Sequence, residues 1–548
     1  MLVAAWMSPL HIPPWLAAHS DLLAASAAGT LGLAGLAATA NRISIPLASV
    51  FFVALACVPA IQFAAGQIRF GGDAWTVFLY LACAAWTSLW SMRVAQTDSA
   101  GWSHMLAAAM LAGALCSVIL ILLQRLDVTA GLLRSYVVEV RPGYPPGGNL
   151  AQPNQATTLL GLGLVSLMLL FERGQVGIKW SLCAAFLMTV AMAATASRTG
   201  LLLFAAASVG VWVLRRRVGL RTRPSVVVAL AAVWFTAFLA WGRIADVLYL
   251  RPMLSTLESR TSAGSRTVIW EQLWVALQLR PWAGYGWNQV GTAQMTVAEH
   301  LTNSRLVASS HSLPLDLMIW NGAPLAVVIV SVALWWLGRS LRRLSSTAGA
   351  FGMLVMALLL THALVEFPLE YLYFLVPFAM AIGIVAADTR RPPRLTLPRW
   401  AGGLGVGIYL VVFGWAAADY MNVESAFRDM RFSIARIGGP MPSRPPPMLD
   451  TQFTQLAAQH RSWLSVSRSG MSPEEVRFSA DVSSRFAFAP LLYRHALAQA
   501  FNGDMPGARI TLQRLKGLHP AAVYGAAIAQ IRELTTLTQA ERAALTAP

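Results

Sequence analysis

Between Asp21 and Ala418 the chain alternates long apolar runs with short polar connections. A helix crosses a bilayer with about 20 consecutive apolar residues. Twelve runs approach that length: Asp21 to Ala38, Ile43 to Phe63, Ala74 to Ser91, Ser103 to Leu123, Gln155 to Phe171, Trp180 to Ala196, Gly200 to Leu214, Ser225 to Trp241, Leu313 to Leu337, Ala348 to Phe367, Tyr371 to Ala387 and Ala401 to Ala418. The pattern predicts an all-α, polytopic membrane bundle of about twelve spans. Met1 to Leu10 is apolar but too short to span, and Pro9, Pro13 and Pro14 interrupt it. It reads as an interfacial segment or the remnant of an extra helix.

Two stretches break the rhythm. Gly242 to Ser312 is a polar excursion between two spans, with an amphipathic stretch from Arg266 to Trp274 inside it. After Tyr420 the chain turns polar, passes a proline-rich linker at Pro440 to Pro447, and regains helical periodicity on both sides of Asn502-Gly503-Asp504. That last pair resembles one tetratricopeptide unit, although a stable array needs about three; a generic helical domain fits equally well. The expected organisation is an N-terminal segment at 1–20, a membrane domain at 21–420 with the loop at 242–312, and a helical domain at 421–548.

Composition agrees with the class: 56% of residues are apolar and 12% charged. Cys57, Cys83, Cys116 and Cys183 all lie in apolar runs, without the spacing of a disulfide framework or a metal site. The net charge of +17 is almost wholly arginine, with Lys179 and Lys516 the only lysines. Nucleic acid explains this excess poorly, because the arginines sit in short loops. Arg42, Arg93, Arg173 with Lys179, Arg215 to Arg223, Arg339 to Arg343 and Arg390 to Arg399 fall on alternate connections. They mark one face as cytoplasmic. The long loop and the tail then belong to the opposite, extracytoplasmic face, and no cleavable signal peptide is evident.

Three clusters share that extracytoplasmic face. In Gly148-Asn149-Leu150-Ala151-Gln152-Pro153-Asn154-Gln155, the turn and cap residues have a structural reading. Alternatively, Asn149, Gln152 and Gln155 present amides to a sugar or peptide. Arg198 stands in a tight turn between two spans, where it either snorkels to lipid phosphate or grips a substrate phosphate with its guanidinium fork. In the long loop, Arg266 opens the amphipathic stretch, a Pro281-to-Trp287 run follows, and His311 ends the loop where the chain re-enters an apolar helix. His362, Glu366 and Tyr371 lie at the end of a later span, and polar groups at that depth are functional suspects. Histidines and turn arginines also occur as ordinary structural residues.

Taken in order, the Gly-Asn-Leu-Ala-Gln-Pro-Asn-Gln segment, the Ser197-Arg198-Thr199-Gly200 turn, Arg266 with the Pro-x-x-Gly-x-Gly run, His311, and His362 followed by Glu366-Phe367-Pro368-Leu369-Glu370-Tyr371 resemble the O-antigen ligase superfamily. They look most like its PglL-type protein O-oligosaccharyltransferases, which glycosylate pilins. The resemblance covers about Ser20 to Ala418. It implies transfer of an oligosaccharide from undecaprenyl pyrophosphate to Ser or Thr hydroxyls of pilin or another periplasmic protein, in a bacterial inner membrane, without metal or cofactor. It also implies a histidine base and two arginines on the pyrophosphate, which map onto His311, Arg198 and Arg266. Two positions depart from the family pattern. Ser312 follows the histidine where Asn is common, and Gln155 stands where the loop motif commonly ends in His. Both bear on acceptor recognition.

The chemistry agrees with the resemblance. Fixed guanidinium groups neutralise the charge that grows on a leaving pyrophosphate, and a serine hydroxyl needs a proton acceptor, for which histidine suits neutral pH. A lipopolysaccharide O-antigen ligase or polymerase, with the same donor and a sugar acceptor, is the alternative. A transporter or flippase would predict mid-bilayer charge pairs and inverted repeats, and the charges here cluster at the span ends.

Overall fold

The computed structural model describes residues 1–127, 131–141, 143–248, 250, 264–301, 304–389, 395–437 and 446–546. Each of the twelve predicted runs contains a helix. Among the described residues eight helices are long and apolar enough to cross a membrane: Ala18–Ala37, Leu47–Ala64, Gly71–Thr97, Ser99–Arg125, Pro153–Glu172, Pro224–Val247, Leu313–Leu341 and Arg399–Ile434. Ile178–Ala194, Thr347–Ala363 and Leu372–Asp388 are apolar but shorter, and Thr199–Val218 ends in Arg215, Arg216 and Arg217. The protein is an all-α, multi-pass membrane protein. Among the described residues its strands are Arg42–Ser44 and Thr396–Pro398, paired antiparallel.

Helix ends follow local chemistry. Asp98 and Ser346 accept the Gly101 and Gly349 amides at 2.8 and 3.1 Å, capping Ser99–Arg125 and Thr347–Ala363. Pro153 and Pro224 open their helices at a position that needs no amide donor. The last membrane helix runs past the predicted end at Ala418 to Ile434. Hydropathy marks where a helix leaves the apolar phase, not where it stops: Tyr420, Val423, Phe427 and Met430 are buried at helical spacing on a polar background.

The chain forms two compact units. The first comprises Met1–Leu55, Tyr80–Ser262 and Val332–Gly414. Small residues and polar pairs close its helix contacts, as expected where lipid removes the hydrophobic drive for helix association. A Cβ on Gly163 would collide with the Ala114 Cβ. The Ser91 hydroxyl donates to the Met380 carbonyl at 2.6 Å and accepts from the Trp102 indole at 2.8 Å. The N-terminal segment belongs to this unit: Leu2–Met7 is helical, Trp6 is fully buried, and its indole donates to the Tyr373 carbonyl at 2.9 Å.

The second unit comprises Ala56–Leu79, Ala263–Ser331 and Trp415–Pro548. The predicted polar loop is partly helical here, at Gly264–Leu279 and Val290–Val297; residues 249, 251–263 and 302–303 of it, like 440–445 of the proline-rich linker and 390–394 of the Arg390-to-Arg399 stretch, lie outside the described residues. Among the described residues six helices follow the linker, including the pair Ala489–Phe501 and Met505–Leu518. The Asn502-Gly503-Asp504 turn joins that pair, with Asp504 capping the second helix. The tail shares a core with the loop, where Met295 and Ala298 pack with Leu492, Leu515 and Leu518. Arg485 of the tail grips Asp73 with two hydrogen bonds of 2.8 Å.

Candidate active site

In the first unit, helix ends bring a chain of polar side chains together. Pro153 starts one helix, so Asn154 sits in its first turn. The Asn154 carboxamide donates to Glu366 Oε1 at 2.7 Å and accepts the Ser197 hydroxyl at 2.6 Å. Ser197 adjoins Arg198, which is exposed at the start of Thr199–Val218. Thr195, in the same turn, shares a hydrogen bond with Thr157 at 2.7 Å. Arg125, buried, donates to the Ala194 carbonyl just before the turn and lies over the Trp241 ring, 5.3 Å from its centroid. His362 is fully buried and shares a hydrogen bond with Thr158 at 2.8 Å through Nδ1. The Gln155 side-chain oxygen accepts the Tyr373 hydroxyl at 2.5 Å, and Tyr373 stacks on Tyr371.

Asn149 is committed to the fold. Its amide donates to the Met7 and Tyr136 carbonyls at 2.7 and 2.8 Å, its oxygen accepts the Val138 amide at 3.1 Å, and the side chain is buried. It ties the N-terminal segment and residues 136–138 to the turn. Gln152, at the N-cap of Pro153–Glu172, is half-exposed.

The second unit holds His311 and Arg266. Arg266 is in the first turn of Gly264–Leu279 and half-exposed. One turn on, the Trp270 indole donates to the Ser310 carbonyl at 2.8 Å, tying this helix to the residue before His311. His311 is half-exposed with φ of +57°, a conformation that a non-glycine residue keeps only where its surroundings impose it. Asp316 imposes it by accepting the Ser310 amide and the Ser309 hydroxyl, both at 2.7 Å. Further along, Gly322 has φ of +76° and interrupts Leu313–Leu341. At that break the Ile319 and Trp320 carbonyls accept the Tyr285 and Gly286 amides at 2.8 and 3.0 Å. The Pro-x-x-Gly-x-Gly run is therefore a backbone clasp on the helix that carries His311.

The predicted residues thus fall into two sets. Asn149, Gln152, Gln155, Arg198, His362, Glu366 and Tyr371 belong to the first unit, and Arg266 and His311 to the second. Sequence reasoning passed over Ser197, Arg125 and Asp316. The signal for the last two was present, since a charge adjoining an apolar run needs a partner. Among the described residues no group of three His, Cys, Asp or Glu side chains is placed to hold a metal ion.

Three family models match the chain. Residues 146–171 match a protein glycosylation ligase model, 183–330 an O-antigen ligase model, and 350–532 the C-terminal part of a virulence factor membrane-bound polymerase model. Two relatives come from Acinetobacter baylyi. A general O-oligosaccharyltransferase is 27% identical over 443 residues, covering 78% of this chain and 76% of that protein. A ComP-specific O-oligosaccharyltransferase is 28% identical over 242 residues, covering 44% of each. The chain is a membrane-embedded glycosyltransferase similar to the O-antigen ligase superfamily, and most like its PglL-type protein O-oligosaccharyltransferases.

Proposed function

We propose that this chain transfers an oligosaccharide from undecaprenyl pyrophosphate to a Ser or Thr hydroxyl of an extracytoplasmic protein, pilin being the acceptor class. In this reading the acceptor oxygen attacks the anomeric carbon. A new glycosidic C–O bond forms as the bond to pyrophosphate breaks, the hydroxyl proton passes to His311, and undecaprenyl pyrophosphate leaves. Arg198 and Arg266 hold the departing pyrophosphate and neutralise its growing charge. The Asn154–Ser197–Glu366 chain fixes the Arg198 turn, Gln152, Gln155, His362 and Tyr371 shape the acceptor side, and Asn149 acts through the fold. Residues 1–20, 21–420 and 421–548 serve as N-terminal segment, membrane domain and periplasmic domain.

The observation that carries the reading is the His311 turn, a half-exposed imidazole held at positive φ by a buried carboxylate, at the mouth of a span. The likeness to two O-oligosaccharyltransferases supports a protein acceptor over a sugar acceptor. The test is reconstitution of the purified protein with a lipid-linked oligosaccharide and, separately, with a pilin-like protein or lipid A core. Glycan on the protein alone supports the reading; glycan on the core alone makes the enzyme a lipopolysaccharide ligase. Orientation is tested separately, by alkaline phosphatase fused after Thr546. An active fusion puts the tail in the periplasm, and an inactive one reverses the topology.

A further inference from the structure

We propose that the first unit binds an anionic glycerophospholipid, with one acyl chain in a slot between helices and the head group on Arg221 and Arg223. The slot is a cavity of about 290 Å³, at the lower edge of the ~300–1,000 Å³ of ordinary ligand sites. Its walls come from Pro153–Glu172, Ile178–Ala194, Thr199–Val218 and Pro224–Val247, backed by Leu354 and Leu358. Phe171, Met192, Leu203, Phe204 and Val226 make the lining largely hydrocarbon. Water does not fill such a space, because it would find no polar partners, and an empty space forfeits the dispersion contacts of its walls. A chain from the surrounding lipid satisfies both conditions.

The mouth is cationic. Arg221, Thr222 and Arg223 line one end of the slot. Glu172 is next to them, but its carboxylate accepts the Arg221 and Thr222 amides at 2.7 Å and the Thr222 hydroxyl at 2.5 Å, and so shapes the loop backbone. The Arg221 guanidinium lies over the Phe171 ring, 5.1 Å from its centroid. Arg221 and Arg223 are exposed, and among the described residues neither forms an ion pair with a carboxylate. A basic pocket between membrane helices is a general head-group site for anionic lipids.

The chain's course separates this site from the proposed donor. Arg198 immediately precedes the Thr199–Val218 helix and Arg221 follows it. Twenty helical residues rise about 30 Å, so the cationic mouth lies toward the membrane surface opposite to Arg198, while Met192 and Leu203 line the far end of the slot. Its occupant therefore comes from the other leaflet, where the reacting pyrophosphate is not.

The test uses the purified full chain in mixed micelles. Native mass spectrometry and thermal unfolding are compared with phosphatidylglycerol and with phosphatidylcholine of the same chains. The wild type should retain one phosphatidylglycerol with at least tenfold preference and gain thermal stability from it. Arg221→Gln with Arg223→Gln, both surface changes, should abolish the preference. Ala207→Phe, which fills the slot, should abolish retention of either lipid. Equal retention of both lipids by the wild type, or a double variant that keeps the preference, overturns the proposal. So does displacement of phosphatidylglycerol by undecaprenyl phosphate, which would make the slot a donor-tail site.

Discussion

Asp316 fastens the backbone that presents His311: its Oδ1 accepts the Ser310 amide at 2.7 Å, one residue before the imidazole. Its Oδ2 accepts the Ser309 hydroxyl at the same distance, and the Ser309 oxygen accepts the His311 amide at 3.2 Å. One buried carboxylate therefore holds three consecutive residues, with His311 at a φ of +57°. A non-glycine residue there costs on the order of 1 kcal/mol, and these hydrogen bonds offset the cost.

Asp316→Ala should consequently lower turnover by about tenfold or more, since a misplacement of roughly 1 Å can cost a hundredfold. Donor KM should change little, because Asp316 does not face the pyrophosphate in this reading. Asp316→Asn keeps acceptor oxygen and should recover part of the rate. Steady-state kinetics at matched protein levels separate the cases. An Asp316→Ala enzyme with unchanged kcat would remove the positioning role.

Arg198 and Arg266 should bind the pyrophosphate. Arg198 is exposed at the N-cap of Thr199–Val218 and Arg266 half-exposed in the first turn of Gly264–Leu279, where a guanidinium can reach a ligand. Replacing either with Ala should weaken donor binding by the ~1.5–3 kcal/mol of a hydrogen bond to a charged group. Lys should restore only part, because the bidentate fork is lost. Donor titration of the folded, membrane-inserted variants is the measurement; normal affinity and turnover in both Ala variants would sink the assignment.

The Ser197–Asn154–Glu366 chain couples the Arg198 turn to the His362–Glu366 segment. Interhelical hydrogen bonds in membranes average about 0.6 kcal/mol and reach 1–2. Ser197→Ala and Glu366→Ala should each cost that order in stability, and each should weaken donor binding through Arg198. Because both act through Asn154, the double variant should fall short of additivity in a mutant cycle. Strict additivity in both stability and donor affinity would show that the two contacts are independent.

The spans were legible because an apolar run of membrane length has few other uses. What the sequence hid was long-range. Nothing around Asn149 tells that its amide ends on Met7 and Tyr136, so its binding and structural roles read alike. Asp316 carried a signal, a charge beside an apolar run, but nothing in the chain told that its partners are Ser309 and Ser310. Trp6 lies in a segment too short to span, yet the fold buries it completely. The order of the motifs was readable from the chain. Their partners, 200 or more residues apart for Asn154 with Glu366 and for Thr158 with His362, were not.

The tail should weaken in acid. His495 is buried beside the Ala496–Leu512 core, and burial pushes its pKa down from 6.5 to about 4. Its folded state therefore binds fewer protons than the unfolded chain across that window. Stability contributed by the neutral imidazole is full above pH 6.5 and declines as pH falls toward 4. At pH 5 the loss is on the order of 2 kcal/mol. Hydrogen exchange across residues 489–546 of the full-length protein, at pH 7 and pH 5, should show the weakening, and His495→Leu should remove most of it. A pH dependence that survives this substitution would assign it to another group.

Exposure separates two histidines. His311 is half-exposed at the end of the loop, while His362 is fully buried with Nδ1 on the Thr158 hydroxyl. A general base must reach the acceptor hydroxyl, and its loss is worth about 10²–10⁴-fold. His311→Ala should therefore nearly abolish transfer while donor binding and thermal stability stay near wild type. His362→Ala leaves a cavity and an unpaired Thr158 hydroxyl, so its first effect should be on stability, with a smaller loss of transfer per folded molecule. Thr158→Val should reproduce part of that stability loss, because it removes the same hydrogen bond from the other side. Transfer to pilin is measured for each variant at matched membrane levels, alongside thermal unfolding of the purified proteins. Full transfer by His311→Ala with loss in His362→Ala would exchange the two roles. Activity in both would leave the arginines and substrate proximity to carry the reaction.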